Sequence, residues 1–194
     1  MDQTLFNFHD LALLLSSLGC FAFAIVILSK SELKMSANTF FSLFLICHGL
    51  TSLSELILWG ASFHLWALDA SPNLFFSLNI AYYIDLPLLY FYFKTQYSQG
   101  FQFKKVHIVH GLPCLLFIIY IVSVFHSQTI DDKVALVTTS KLAYTSHYIS
   151  IELLAKLLRL FYLAAIIVLL RTTRDRRITP WIMPVLYAFF VYKC

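Results

Sequence analysis

Apolar residues in this chain neither alternate in twos nor recur as one stripe of a soluble helix. They come in long blocks separated by short basic or polar connections. A block of about 19 or more mostly apolar residues can cross a hydrocarbon core of roughly 30 Å at about 1.5 Å per residue. Five blocks reach that length, at 11–29, 38–60, 73–93, 106–124 and 150–170. Each is expected to be a helix, because inside lipid only helices and closed barrels pair every backbone donor and acceptor, and the short alternating segments of a barrel are missing. A sixth apolar stretch, 181–192, has Pro180 and Pro184 beside it and would cover only roughly 18 Å as a helix. It is expected to be either a re-entrant piece or a sixth span cut short, and the end of the chain at Cys194, directly behind it, favours truncation. The expected fold is therefore an all-α polytopic membrane bundle, with the whole chain forming one transmembrane domain of five full helices and a short or truncated sixth.

The connections set an orientation. Lys30, Lys34, Lys94, Lys104, Lys105, Arg171, Arg174, Arg176 and Arg177 fall on one side of the alternating spans, and only Lys133 and Lys141 on the other, nine against two. The positive-inside rule then places the N-terminus outside and the arginine cluster in the cytoplasm. Trp59 and Trp66 lie at the expected outer interface, and Tyr90, Tyr92 and Tyr97 at the inner one, where amphipathic rings prefer the headgroup level. The first ten residues carry Asp2 and Asp10 but no lysine or arginine. That is the wrong charge for a secretory signal, so the first span is expected to remain in the protein.

Composition narrows the function classes. With 60% hydrophobic and 12% charged residues, the chain has no room for a soluble domain, and its net charge of +4 reflects basic loops rather than a nucleic-acid surface. No direct nucleic-acid contact is expected from it. Cys20, Cys47 and Cys114 sit inside apolar runs and, with Cys194, form no CxxC pair, so neither a disulfide framework nor a zinc site is indicated. Phosphate loops, nucleophile elbows, HExxH and dinucleotide-binding glycine patterns are all lacking. No catalytic residue, cofactor or metal is expected, and enzymatic activity is disfavoured. His107 and His110 are only two candidate ligands, and interfacial packing explains them more simply.

The informative residues are ionisable groups within the spans, each costly in lipid unless it faces the bundle interior, a partner or water. Glu55, Asp85, Glu152, Lys156 and Arg159 qualify. The last three recur at i, i+4 and i+7 on one stripe of the fifth helix, and Tyr148 continues it outward. His48, Thr51, Ser52 and Glu55 give the second helix a polar face, and Tyr82 adds to the polar lining. Glu55 and Lys156 lie at similar depths, roughly 8 Å below the outer edge, while Asp85 and Arg159 lie nearer the midplane. Two charge layers are expected, Glu55 with Lys156 and Asp85 with Arg159, lining a cavity open to the outside with Glu152 at its mouth. The plainer alternatives are ion pairs that only fix helix packing, or snorkelling of Lys156 and Arg159 to the interface. Pro87 removes a backbone donor and predicts a kink in the third span. The 126–145 loop could cover the outer face but is too short to fold alone.

The run Asp85-Leu86-Pro87-Leu88-Leu89-Tyr90-Phe91-Tyr92-Phe93-Lys94, followed after a short linker by Phe103-Lys104-Lys105-Val106-His107-Ile108-Val109-His110-Gly111-Leu112-Pro113, resembles the N-terminal membrane region of bacterial AraC-type transcription regulators. The first two spans look like the same family's opening helices. Leu86 departs from the glycine that such sequences often carry before Pro-Leu-Leu-Tyr. The resemblance implies a seven-span sensor region in the bacterial inner membrane, ahead of a cytoplasmic helix-turn-helix domain that this chain lacks. The expected function is thus the signal-input half of a regulator, or a truncated product of such a gene, responding to a small molecule, lipid or envelope signal. The bilayer, such a ligand and a second copy of the chain are its candidate partners. The alternative expectation is a small transporter or channel-like subunit with an intramembrane carboxylate path through Asp85 and Glu55.

Overall fold

The computed structural model describes residues 7–30, 36–98, 100–140 and 142–172, and every regular element among them is helical. The long helices are α1 (Phe8–Ser29), α2 (Ala37–Trp59) and α7 (Ser146–Thr172). Between them lie α3 (Ala61–Ala70), α4 (Asp85–Tyr97), α5 (Leu112–Ile121) and α6 (Ile130–Thr138). Short 3₁₀ segments, Ser77–Tyr83 and Lys105–Gly111, lead into α4 and α5. Five helical stretches are long and apolar enough to cross a membrane: Phe8–Ser29, Ala37–Trp59, Pro72–Tyr97, Lys105–His126 and Ser146–Thr172. This is the pattern of a multi-pass membrane protein. Large apolar side chains such as Leu15, Phe23, Ile119, Leu154 and Phe161 point outward, as a lipid-facing surface requires. The 181–192 stretch and three of the arginines, Arg174, Arg176 and Arg177, lie outside the described residues.

Local chemistry accounts for the helix ends. Asn7 caps α1 by accepting the Asp10 backbone N–H at 2.7 Å, and Ser36 caps α2 through the N–H of Thr39 at 3.4 Å. α2 stops at Gly60, where the chain turns straight into α3. A Cβ at Gly60 would lie 2.4 Å from the Leu56 carbonyl, so only glycine fits that turn. The 61–72 connection, expected as a loop, is thus mostly helix. A second glycine, Gly49, lets α1 and α2 approach closely. A Cβ there would meet Phe21 at 2.9 Å and the Ser17 carbonyl at 3.2 Å, the close approach that small residues allow between membrane helices.

The third span is broken rather than kinked. Phe76 takes a left-handed conformation (φ 62°), the 3₁₀ segment follows, and α4 begins at Asp85. Pro87 occupies the third position of α4, where its missing N–H would have lacked a helical partner anyway. It therefore starts a helix instead of bending one, which corrects the expected mid-helix kink.

α1 packs along α2, α2 against α4 and the Ser77–Tyr83 segment, and α7 against α4. Two apolar clusters stack along the bundle. One gathers Phe75, Phe76, Phe117, Ile121, Phe125 and Ala155; the other, toward the basic loops, gathers Phe44, Leu86, Leu89, Phe93, Tyr162 and Ile166. On α7 the first cluster ends at Ala155 and the second begins at Tyr162, so Arg159 falls at the seam.

Candidate functional site

At that seam Arg159 Nη2 lies 2.9 Å from Asp85 Oδ2, both side chains buried. Asp85 sits in the first turn of α4, where its Oδ1 also accepts the Leu86 N–H at 2.7 Å. The carboxylate thus meets a guanidinium and the positive end of a helix, two favourable partners for an intramembrane anion. The Arg159 guanidinium also stands 5.3 Å from the centre of the Tyr82 ring, within cation–π reach. Tyr82 in turn donates its hydroxyl proton to Glu55. Asp85, Arg159, Tyr82 and Glu55 therefore form one continuous polar chain linking α4, α7, the 3₁₀ segment and α2.

Above this chain opens a cavity of about 530 Å³, within the size range of small-molecule sites. Glu55, Tyr82 and Arg159 contribute to its lining, as do His48, Ser52, Tyr148, Glu152 and Lys156. Eight of the nine sequence-derived residues thus meet around one space. The ninth, Asp85, lies just behind it and is not part of the wall. Ser52 donates its hydroxyl proton to the His48 carbonyl at 3.2 Å, which returns part of the α2 polar face to its own backbone.

The expected Glu55–Lys156 pair is not formed. Lys156 Nζ is 3.8 Å from Glu152 Oε1, one turn back on its own helix, with both side chains about half-exposed. An i,i+4 partner is always within reach, whereas pairing across helices also demands the right azimuth. Equal depth could not supply that.

Several lining residues escaped the sequence reading. His9 comes from α1 and His64 from α3, with His64 Nδ1 held 3.0 Å from the Leu58 carbonyl. Asn79, which accepts a hydrogen bond from Ser54, comes from the 3₁₀ segment. Asn79 carried a usable signal, since an amide in the middle of an apolar span calls for a partner.

Comparisons with protein-family models, curated proteins and solved structures find no match to this chain. Function must therefore be read from the geometry.

The cavity has a cover and a closed base. The 126–145 stretch contains α6, capped by Thr129, whose hydroxyl oxygen accepts the Asp132 N–H at 3.3 Å. Leu136, Val137 and Ser140 from this stretch face the cavity. The buried ammonium of Lys133 donates to Asn73 Oδ1 at 2.9 Å and fastens α6 to the start of the third span. Lys133→Ala should release it at a cost of about 1.5–3 kcal/mol. Limited proteolysis would then cut the 127–140 stretch several-fold faster, roughly as that loss predicts; an unchanged cutting rate would show that the latch does not hold α6.

At the opposite end Phe91 is surrounded by Phe40, Phe101, Phe103, His107 and His110, with ring centroids 5.0–6.3 Å apart. His107 Nδ1 accepts the Lys104 N–H at 2.9 Å, and His110 pairs with the Tyr162 hydroxyl. Both histidines are therefore engaged in this plug. Among the described residues the cavity lining comes from the end of the bundle away from the basic loops, and the ring cluster packs at the end toward them.

Proposed function

We propose that this chain is a membrane-embedded signal-input domain whose cavity receives a small molecule or lipid. The observation that carries this reading is the polar chain Asp85–Arg159–Tyr82–Glu55 closing the base of a cavity of about 530 Å³. A ligand touching Tyr82 or Glu55 would bear on the contacts between three spans and on α7, which leads to the basic loop at Arg171. It could bias the bundle only by binding one arrangement better than another.

The described cations Lys30, Lys94, Lys104, Lys105 and Arg171 lie toward the end that holds the ring cluster, whereas Lys133 lies on the stretch that lines the cavity. Under the positive-inside rule this supports an N-terminus outside and a cavity facing outward. The sequence resemblance to AraC-type regulators is what suggests a bacterial inner membrane as its location and transcription as its output. Reading DNA would fall to a helix-turn-helix domain encoded downstream or on a partner. We assign the chain binding rather than catalysis.

A thermal-shift screen of the purified protein in lipid nanodiscs, covering small molecules and lipids, tests the reading. A true ligand at about 100 times its Kd should stabilise the fold by about 2.7 kcal/mol. Ala12→Trp, which places bulk in the cavity wall from the exposed side of α1, should abolish that shift. The sensor reading fails if no compound or lipid moves the melting curve.

A second reading, a carrier or channel-like subunit, draws on the broken third span, since interrupted helices with a carboxylate at the break are typical of ion and substrate paths. The aromatic plug argues against a continuous path. Asp85-dependent flux into proteoliposomes would favour the carrier.

A further inference from the structure

We propose that the ligand of this cavity is a small organic cation, an amine carried on an apolar body. This rests on the cavity being a ligand site and adds the charge and shape of the occupant.

Charge balance comes first. Three carboxylates line or back the cavity, Glu55, Asp85 and Glu152, against two permanent bases, Lys156 and Arg159. Arg159 is committed to Asp85 at 2.9 Å, and Lys156 faces Glu152 at 3.8 Å. Glu55 accepts from the Tyr82 hydroxyl and, among the described residues, forms no ion pair with a base. A carboxylate inside a membrane span without a cation is expensive, and an incoming ammonium supplies the missing charge. His9, His48 and His64 offer ring nitrogens there but no fixed charge.

The walls select the rest of the molecule. Trp59, Phe75, Phe76 and Tyr148 contribute aromatic rings to the lining, and Leu13, Leu136 and Val137 contribute aliphatic side chains. Aromatic faces attract cations, and an apolar lining with a few convergent polar groups is how small-molecule sites hold an apolar body. A space of about 530 Å³ corresponds to roughly 18 waters, far more than a bare metal ion or proton would occupy. An anionic ligand fits poorly. To reach Lys156 it would have to displace Glu152 while remaining near Glu55.

Three probes that share one body separate the possibilities: 2-phenylethylamine, 2-phenylethanol and 3-phenylpropanoate, titrated into the full chain in nanodiscs by calorimetry and thermal shift. The amine should bind at least about tenfold tighter than the alcohol, with the propanoate weakest. Glu55→Gln should bring the amine to the level of the alcohol, and Glu55→Asp should keep part of its advantage. Should Glu55→Gln fail to fold, the ranking on the unaltered protein decides alone. An alcohol or propanoate that equals or exceeds the amine, or an amine preference that survives Glu55→Gln, overturns the cation while leaving the ligand cavity standing. If none of the three binds, the cation proposal fails, and if lipids and other compounds also leave the protein unmoved, the cavity reading falls with it.

Discussion

Arg159→Met should cost the bundle about 3–5 kcal/mol, because it strands the fully buried Asp85 carboxylate without its guanidinium. The double variant Asp85→Leu with Arg159→Met should recover most of that loss, since two apolar side chains of similar volume need no counter-charge at the seam between the apolar clusters. Denaturant unfolding of the purified protein measures both. The comparison separates stability from signalling. If the pair merely fixes packing, the double variant keeps its response to ligand. If Arg159 transmits occupancy from Tyr82 to α7, the double variant folds but no longer responds. A single variant as stable as the parent would show that the pair contributes nothing.

Phe91→Ala should be nearly as damaging and more revealing. Removing a ring that is almost wholly buried among five other rings should cost about 3–5 kcal/mol. The lost volume opens the sealed end of the bundle. A water-soluble maleimide added from the basic-loop side should then label Cys47, midway along α2, several-fold faster than in the parent, in rough proportion to the weakened local packing. Unchanged labelling with normal stability would show that the ring cluster is not the seal.

Much of the fold was legible because lipid imposes a simple rule. Segments that must cross it are long, apolar and helical, so hydropathy located all five spans and missed only their end turns. Those turns are polar. Ser146, His147 and Tyr148 open α7, and Asn7 and Ser36 cap α1 and α2, so a hydropathy window stops short of them. The helices outside the spans were harder. α6 carries its start signal in Thr129 and Asp132, but its apolar positions are too few to stand out beside the spans.

For the site, periodicity along one helix was readable and angle between helices was not. The stripe of Glu152, Lys156 and Arg159 followed from spacing, and the Asp85–Arg159 pair followed from depth. Glu55 was assigned to Lys156 by the same depth argument, yet Tyr82 occupies that azimuth. Tyr82 is there because the third span is 3₁₀ before Asp85, a local winding that no hydrophobic pattern encodes.

That winding has a mechanical corollary. Over Ser77–Tyr83, seven residues, a 3₁₀ coil reaches about 14 Å, whereas α geometry would reach only about 10.5 Å. Rewinding the stretch would retract it by roughly 3.5 Å and turn one end against the other by roughly 140°. Phe76 is wedged against Phe125 and Tyr148 at one end, and Asp85 is clasped by Arg159 at the other. The stretch is held at both ends, so neither the shortening nor the turn can occur while both contacts stay in place.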